Sequence, residues 1–476
     1  MNPVQLTSHK YRLGYHVMAP SGWINDPNGF CYFKGYYHIF YQYYPYSEKG
    51  GSPMHWGHAR SKDLVHWETL PIALTPGDPE DTDGCFSGSA IVKDDKLYLI
   101  YTGHHFNDSN QPEDFWENQN MAYSQDGIHF TKYEHNPIIA TPPVDNTQHF
   151  RDPKVWQYKD GFYMILGSQG HDGLGRALLY KSSDLKKWEY QGAIDKSKQV
   201  AQEGFMWECP DLFELKHKHV LLFSPQGIEA EHKKFLNLFQ TGYFIGHLDY
   251  TQSTFNRDSS FIELDNGHDF YAAQTTLTPD GRTVVIGWMD MWENEIIEQE
   301  DGWAGALTLP RTLNLKNNKL FMNPVEEVKN LRTGECRSLS LDNRQVLLSN
   351  GSAHVEVNLS LKTNKLENDT IKLTLNTQQD DTIMSLTYNT QSHSFTLFRK
   401  DHDDCRYADI TASHEVNLRI FIDKSSVEIF INDGEKCFTE RYYYPHTPIL
   451  SIENTSNHSL SGQALVYNLK DEAIQF

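Results

Sequence analysis

Residues 26–41 (DPNGFCYFKGYYHIFY) contain the pattern that decides the fold. A polar start is followed by an apolar strand, a tight Lys34-Gly35 turn and a second apolar strand, which together predict a β-hairpin. Four further copies occupy residues 87–101, 152–166, 208–223 and 271–286. The chain is therefore built on a hairpin that recurs about every sixty residues.

Five units of this length, each with room for four strands, predict a five-bladed β-propeller. The innermost strand of each blade lines the central channel, so equivalent positions of the five blades face one another. The first positions of the copies are Asp26, Ser87, Asp152, Glu208 and Tyr271. The repeat thus predicts three carboxylates at one mouth of the channel, and such mutually repelling acids indicate a functional site.

A second set of strands follows, with alternating polarity, at residues 355–361, 371–375, 416–422, 427–431 and 464–469. Period-two alternation is typical of antiparallel sheets with one polar face. The predicted fold class is all-β, with a five-bladed β-propeller over residues 1–312, a linker over 313–335 and a C-terminal antiparallel β-sandwich over 336–476. The later strands of the fifth blade are expected near residues 303–309.

Composition excludes several classes of function. A net charge of −21 argues against a nucleic-acid partner, since binding to phosphate backbones depends on clustered Lys and Arg. The sequence has no apolar run of the length of a signal peptide core or a membrane span, which predicts a cytoplasmic location and no membrane partner. Six scattered cysteines without a C-x-x-C pair predict reduced thiols, with neither disulfides nor a metal site. We expect a small-molecule substrate and no cofactor.

Three convergent carboxylates suit the hydrolysis of an acetal, which needs a proton for the leaving oxygen and a group that meets positive charge at the anomeric carbon. Asp26 lies among side-chain and backbone donors, which favours an ionised carboxylate. Glu208 lies beside Trp207 and Cys209, a less polar setting that suits a general acid. The sequence predicts a pair of carboxylates with separate roles.

Four motifs occur in order along the chain: WINDPNG (residues 23–29), GCFSGSA (84–90), RDP (151–153) and ECPD (208–211). They resemble motifs of the β-fructofuranosidases of glycoside hydrolase family 32, which include invertases and bacterial sucrose-6-phosphate hydrolases. IDKSSVEIF at residues 422–430 is similar to the C-terminal signature of that family, so the resemblance spans the chain. Ile24 is a departure, because Met or Leu is commoner there. The resemblance implies a propeller followed by a sandwich, and retaining hydrolysis of terminal β-D-fructofuranosyl bonds through a covalent fructosyl-enzyme. The substrates it implies are sucrose, sucrose 6-phosphate or both, with short fructo-oligosaccharides as further partners.

The resemblance also implies a role for each site residue. Asp26 is expected to be the nucleophile, Glu208 the acid/base and Asp152 a stabiliser of the transition state. The expected contacts to the fructosyl unit are Trp23, Asn25, Gln42, Trp56, Phe86, Ser87, Arg151, Cys209 and Tyr271. Asn25 and Gln42 have an alternative interpretation as residues that satisfy hydrogen bonds in a turn or strand, and Trp56 and Tyr271 have one as packing residues. Cys209 is expected to tune Glu208.

Three other functions fit the same features less well: an inverting furanosidase with a five-bladed propeller, an exo-acting fructan hydrolase, and a non-catalytic sugar-binding propeller. The resemblance to sucrose-6-phosphate hydrolases, which includes FSPQG at residues 223–227, raises the question of a phosphate subsite. Its cations should lie on loops at the outer side of the pocket. The candidates are Lys49, His55, His171, Arg176 and Lys233.

Overall fold

The computed structural model describes residues 2–363 and 368–476, and these ranges are almost entirely β-sheet. Helix is limited there to one α-helical turn and two 3-10 segments, at Val200–Glu203, Ile297–Asp301 and Glu326–Leu331. No helix in the described part of the chain is long and apolar enough to cross a membrane. None of the six cysteines forms a disulfide in the structure. The all-β class is confirmed.

Five antiparallel sheets fill the first two thirds of the chain. The first contains β1 (Gly22–Phe33), β2 (Tyr36–Tyr44), β3 (His55–Ser61) and β4 (Trp67–Leu74). The second contains β5 (Cys85–Lys93), β6 (Lys96–Phe106), β7 (Phe115–Ser124) and β8 (Thr131–Lys132). The third contains β9 (Asn146–Tyr158), β10 (Gly161–Gly170), β11 (Gly175–Ser182) and β12 (Glu189–Lys196).

The fourth sheet contains β13 (Met206–Leu215), β14 (Lys218–Gln226), β15 (Gly242–Asp249), β16 (Thr254–Arg257) and the short β17 (Ile262–Glu263). The fifth contains β18 (Tyr271–Leu277), β19 (Thr283–Trp288), β21 (Arg311–Lys316) and β22 (Lys319–Pro324). Between β19 and β21 in the chain, β20 (Trp303–Ala304) belongs to the first sheet, where it pairs in parallel with β1. The five predicted hairpins are the first two strands of the five sheets.

The first strands of the five sheets form a closed ring. β1 contacts β5, β5 contacts β9, β9 contacts β13, β13 contacts β18, and β18 contacts β1 again. Each sheet then extends outward from this ring through its later strands. This is the arrangement of a five-bladed propeller, which confirms the prediction and places the five inner strands around one channel.

The prediction for the end of the fifth blade was wrong. Its outer strands are β21 and β22, which lie in the segment that the sequence indicated as a linker, whereas residues 303–304 pair with the first blade. The reason is the alternation of these strands: Leu313 and Leu315 are buried, while Asn314 and Lys316 are exposed. Half-buried strands of this kind look polar on average. The division of the chain into two domains stays a prediction.

The last third of the chain forms two six-stranded sheets. One contains β23 (Arg332–Leu341), β25 (Val355–Lys362), β30 (Glu415–Asp423), β31 (Ser426–Ile431), β32 (Lys436–Arg441) and β34 (Gly462–Leu469). The other contains β24 (Gln345–Ser349), β26 (Thr370–Asn376), β27 (Thr382–Asn389), β28 (Ser394–Arg399), β29 (Asp404–Asp409) and β33 (Ile449–Asn454). Their facing apolar side chains share one core, which confirms the β-sandwich.

Buried charged side chains join the propeller to the sandwich. The Arg311 guanidinium, fully buried on β21, lies 2.9 Å from the Asp265 carboxylate and also pairs with Glu428 of the sandwich. At the C-terminus, β35 (Ile474–Gln475) returns to the propeller and pairs with β4. The two parts are thus held together by ion pairs and by a strand at the end of the chain.

Candidate functional site

Each inner strand of the propeller has a bulge near its start, at the same end of the channel. The strand pairing shifts register at residues 25–26 in β1, 87 in β5, 152–153 in β9, 209–210 in β13 and 272–273 in β18. The first bulge residue has positive φ in three of these strands: 65° at Asp152, 46° at Cys209 and 55° at Ala272. A bulge redirects side chains and ends the regular ladder, so all five blades turn irregular backbone toward one mouth.

These bulges correct the predicted alignment of the repeat by one residue. The residue before the bulge is Arg151 in the third blade, Glu208 in the fourth and Tyr271 in the fifth. Cys209, and not Glu208, is therefore the structural counterpart of Asp152. The offset was invisible in sequence because the inner strands are largely buried on both faces around the bulge, so their polarity does not alternate and an extra residue leaves no mark on it. It nevertheless decides which side chains meet.

Asp26 is held by donors from three blades. The Asn25 amide donates to Asp26 Oδ1 over 3.0 Å, and the Ser87 hydroxyl donates to Asp26 Oδ2 over 2.7 Å. The Cys209 thiol lies 3.4 Å from the same Oδ2 atom. Asn25 is itself fixed by the Trp23 indole N–H, which donates to its amide oxygen over 2.8 Å. The structure therefore brings together four predicted contact residues, Trp23, Asn25, Ser87 and Cys209, around the Asp26 carboxylate.

Glu208 lies between a cation and a phenol. Arg151 donates to Glu208 Oε1 through Nε at 3.0 Å and Nη2 at 2.7 Å. The Tyr271 hydroxyl donates to Glu208 Oε2 over 2.6 Å. Burial raises the pKa of Tyr271 well above its usual range, so the phenol keeps its proton and acts as a donor. The expected less polar setting of Glu208 was wrong, since both of its oxygens have polar partners.

Asp152 is bound through backbone as well as side chains. Its Oδ2 atom accepts the backbone N–H of Cys209 at 2.9 Å and lies 3.6 Å from the Cys209 sulfur. Its own backbone N–H donates to the Thr102 hydroxyl over 3.0 Å. Cys209 thus contacts both Asp26 and Asp152. Burial raises the pKa of this thiol well above its usual range, which makes it a neutral hydrogen-bond donor and not a nucleophile.

The acids of the site oppose one another's ionisation. Burial, and then the charge of Glu208, raise the pKa of Asp26, against the hydrogen bonds from Asn25, Ser87 and Cys209. The same two causes raise the pKa of Asp152 well above its usual range, against the pull of Arg151. The donors expected around Asp26 are present, but they do not outweigh burial and a neighbouring carboxylate. Both aspartates therefore keep their protons to higher pH than ordinary aspartates do.

Aromatic and amide side chains form the wall of the site. Trp56 is fully buried, and its indole N–H donates to the Phe86 carbonyl over 3.0 Å. Gln42 is buried and donates to the Cys85 carbonyl over 3.0 Å. Phe86 is partly exposed and stacks on His104 with ring centroids 4.1 Å apart. Trp56 and Gln42 therefore fix the β5 backbone on which Phe86 and Ser87 stand.

Several side chains around the site were missed by the sequence reasoning. Glu117 and His149 lie against Arg151, and His104 lies behind Phe86. Trp292, 44% exposed, stacks on Trp23 with centroids 5.9 Å apart. None of these positions begins a copy of the hairpin, so the repeat could not reveal them. The only signal for Trp292 was its place in a tryptophan-rich segment after β19.

The predicted phosphate candidates do not form one cluster. Arg176 is paired twice, with Asp145 at 2.9 Å and with Asp172 at 3.0 Å. The cavity of about 640 Å³ beside it is also lined by Asp195. Since acids surround its guanidinium, Arg176 is a poor site for a dianion.

Two further candidates are also engaged. His55 is buried, with Nδ1 3.0 Å from the Pro53 carbonyl oxygen. Lys233 lies with its ammonium 4.8 Å from the ring centre of Tyr407 in the sandwich. Lys49 and His171 are exposed, and they remain the candidates for a phosphate contact.

Potential metal ligands lie elsewhere. Within the described ranges, one group of three such residues was found, His268, His402 and Asp404, where the propeller meets the sandwich. His268 Nε2 is 2.7 Å from Asp404, and His268 Nδ1 is 2.7 Å from Glu440. Both distances are those of hydrogen bonds, so the geometry is that of a histidine shared by two carboxylates.

Comparison with known proteins gives consistent matches over the whole chain. Residues 16–324 match the Glycosyl hydrolases family 32 N-terminal domain, and residues 322–469 match the Glycosyl hydrolases family 32 C terminal domain. A sucrose-6-phosphate hydrolase of Escherichia coli is 43% identical over 438 residues, 90% of this chain and 88% of that protein. A raffinose invertase of Escherichia coli is 40% identical over 461 residues, covering 95% and 93% of the two chains.

Solved structures agree with these relatives. The GH32 β-fructofuranosidase BmSUC1 of Bombyx mori superposes with a TM-score of 0.89 at 39% identity, covering 99% of this chain and 96% of that one. A variant of the same silkworm enzyme in complex with sucrose superposes with a TM-score of 0.88 at 38% identity, with the same coverage.

Proposed function

Because the chain belongs to family 32 of the glycosyl hydrolases, we propose that it hydrolyses the terminal β-D-fructofuranosyl bond of sucrose and of sucrose 6-phosphate. The observation that carries the proposal is the convergence of Asp26 and Glu208 at one channel mouth, each with its own set of donors. The resemblance to sucrose-6-phosphate hydrolases at 40% identity and above supports the substrate class.

In the proposed first step, Asp26 attacks the anomeric carbon of the fructosyl unit. The bond to the leaving glucosyl oxygen breaks with its electron pair on that oxygen, and Glu208 transfers its proton to it. The product of the step is a fructosyl ester of Asp26. In the second step, Glu208 takes a proton from water, the resulting hydroxide displaces the carboxylate, and fructose leaves with retained configuration.

The neighbouring side chains prepare the two acids for these steps. Asn25 and Ser87 orient the Asp26 carboxylate, so that it need not reorganise at the moment of attack. Tyr271 and Arg151 fix the carboxyl plane of Glu208. A nucleophile must be ionised, and the raised pKa of Asp26 therefore places the acid limb of activity above that of an ordinary aspartate.

Asp152 is proposed to stabilise the transition state without forming a bond to the substrate. A carboxylate beside the ring can accept hydrogen bonds from fructose hydroxyls that strengthen as positive charge develops. Its position is fixed by the Cys209 backbone N–H, which the positive φ of Cys209 turns inward. Phe86 and Trp292 are proposed to pack against the sugar, since both rings are partly exposed, Phe86 directly precedes Ser87, and Trp292 stacks on Trp23.

The proposed location is cytoplasmic, and in that case the substrate is a sugar already imported. A phosphorylated sucrose would place its phosphate on the leaving-group side, which Lys49 and His171 are the candidates to contact. The acidic net charge of −21 opposes a dianion at long range, but screening beyond about 8 Å at physiological salt makes local cations decisive.

The test is a comparison of kcat/KM for sucrose, sucrose 6-phosphate, raffinose and inulin with the purified protein. We expect cleavage of both forms of sucrose, with Asp26→Asn inactive and the matched surface variant Asp160→Asn, in an exposed hairpin turn, fully active. Early NMR spectra should show the retained β-anomer of fructose. Inverted product, or activity confined to inulin, would contradict the proposal.

A separate experiment tests whether the protein contacts the phosphate of sucrose 6-phosphate. If Lys49 or His171 contacts a phosphate, replacing either with Gln should lower kcat/KM for sucrose 6-phosphate while leaving sucrose unchanged. A preference of tenfold for the phosphorylated sugar corresponds to about 1.4 kcal/mol and should shrink as salt is raised. Equal kcat/KM for the two sugars at every salt concentration would mean that no cation of the site recognises the phosphate, and poorer cleavage of the phosphorylated sugar would make this an invertase for unphosphorylated substrates.

A further inference from the structure

A buried carboxylate lies directly behind the site and has no role in the steps above. Glu117 on β7 is 1% exposed. Its Oε2 atom accepts the Phe150 backbone N–H at 2.9 Å and lies 3.5 Å from Arg151 Nη1. Its Oε1 atom is 3.2 Å from His104 Nδ1. Burying an ionised carboxylate this deeply costs folding free energy unless the charge is paired and hydrogen-bonded.

Arg151 is the link between this acid and the reaction. One side of its guanidinium, Nε and Nη2, faces Glu208, while Nη1 faces Glu117 and lies 2.9 Å from His149 Nδ1. Burial and the charge of Arg151 lower the pKa of His149 to about 4, so this ring is neutral near pH 7 and accepts a hydrogen bond. The single positive charge of Arg151 is therefore shared by two carboxylates.

This sharing matters because Glu208 must carry a proton at the start of the reaction. An arginine paired with Glu208 alone would stabilise the ionised form, which cannot protonate the leaving oxygen. A second carboxylate on the far side of the guanidinium offsets that effect. Burial acts to raise the pKa of Glu117, but the charge of Arg151 and the hydrogen bonds from His104 and Phe150 prevail and lower it, so Glu117 is ionised at neutral pH and supplies this offset.

We propose that Glu117 is a positioning residue that acts through Arg151 and extends to higher pH the range in which Glu208 works as an acid. The inference rests on the proposed function. Glu117 touches neither the substrate pocket nor Glu208, and its effect passes through the shared guanidinium. It also orients His104, whose ring stacks on Phe86 at an interplanar angle of 2°.

The charged and titratable groups that face Glu208 lie on four strands. Glu208 faces Asp26 on β1, Arg151 and Asp152 on β9, Tyr271 on β18 and, in its own strand, Cys209. Tyr271 and Cys209 stay protonated because burial raises the pKa of each well above its usual range. The charges that can shift the working range of Glu208 are therefore Asp26, Asp152, Arg151 and, through it, Glu117.

The experiment compares pH profiles of kcat/KM for sucrose in the wild type and in Glu117→Gln, which removes the charge and keeps the shape. We expect the basic limb to move about one pH unit toward acid. In Glu117→Gln the charge of Arg151 is left with Glu208 as its one carboxylate partner, and an adjacent opposite charge favours the ionised form of an acid by about one pH unit or more. Activity at the acidic end should be nearly retained. The matched control is Glu113→Gln, an exposed acid four residues away, which should leave the profile unchanged.

A second variant separates charge from shape. Glu117→Asp keeps the charge and shortens its reach, so its turnover should fall while the basic limb stays near that of the wild type. A basic limb that moves as far in Glu117→Asp as expected for Glu117→Gln would overturn the proposal, whether or not Glu117→Gln folds. A Glu117→Gln profile that superimposes on the wild type would do the same. An inactive wild type would instead refute the proposed function.

A substrate with a good leaving group gives a final check. p-Nitrophenyl β-D-fructofuranoside needs little proton donation, so Glu117→Gln should cleave it at a near wild-type rate on the basic side, where sucrose hydrolysis is lost. Equal loss with both substrates would mean that Glu117 maintains the shape of the site and does not set its proton equilibrium, which would contradict the proposal.

Discussion

Raising the pH should weaken the contact between propeller and sandwich through one buried histidine. His16, 1% exposed, comes from the segment before the first blade. Its Nδ1 atom is 2.7 Å from Asp423 Oδ2, and its Nε2 atom is 2.7 Å from Glu428 Oε1. Both acids belong to the sandwich. An imidazole that contacts a carboxylate on each side satisfies both only when it carries both protons.

The size of the effect follows from the pKa of His16. Burial acts to lower it, but the hydrogen bonds and charges of Asp423 and Glu428 prevail and raise it from 6.5 to about 8. One pH unit corresponds to about 1.4 kcal/mol, so the protonated histidine contributes about 2 kcal/mol to folding. Because the folded pKa is raised, this stability is complete below about pH 6.5 and is lost as pH rises through about 8. The lowered pKa of Asp423 reports the same contacts and is not added.

The assay is urea unfolding of the wild type and of His16→Gln at about pH 6 and about pH 9. Subtracting the two proteins removes other titrations, and the difference in unfolding free energy should shrink by about 2 kcal/mol over this interval. His9→Gln, which removes an exposed histidine from the same segment, should show no such change. A difference that is constant between the two pH values would refute the reasoning.

Three further results are expected. Asp26→Asn should lower kcat on sucrose by about 10³-fold or more while its melting temperature stays within a few degrees, since repelling acids do not stabilise the fold; a kcat close to the wild type would exclude Asp26 as nucleophile. Ser87→Ala removes a hydrogen bond that lowers the pKa of Asp26, so the acid limb of kcat/KM should move to higher pH, and an unmoved limb would contradict that role. Trp292→Ala should raise KM for sucrose several-fold with little change in kcat, whereas unchanged kinetics would place Trp292 outside the sugar site.

Much of the architecture could be predicted because it depends on local sequence. The hairpins have turn residues and apolar strands in adjacent positions, and their recurrence specifies the ring of blades. The convergence of Asp26 and Asp152 follows from that ring alone. The end of the fifth blade was missed because its alternating outer strand β21 looks polar on average, and because Asp265 and Glu428, the partners of its buried Arg311, are distant in sequence.

The finer geometry of the site could not be predicted, for a different reason. A bulge depends on how a strand pairs with its neighbour, and a hairpin with or without one has almost the same pattern of polarity. The positions of Glu117 and His104 depend on how neighbouring blades pack behind Arg151. Sequence reasoning therefore identified the residues that bear charge but not the contacts that tune it.

The bulges explain how five similar blades can form a single active site to which each blade contributes different side chains. A non-glycine residue at positive φ costs about 1 kcal/mol or more, and three of them, Asp152, Cys209 and Ala272, lie at the first bulge position of adjacent blades. The strain at Cys209 turns its backbone N–H toward the Asp152 carboxylate, and the residues just before each bulge, Arg151 and Glu208, meet as an ion pair. The same bulge thus recurs around the channel, and the side chains at and beside each bulge determine the chemistry. Replacing a residue beside a bulge should therefore change activity far more than stability, while replacing the apolar residues of the same strands should do the reverse.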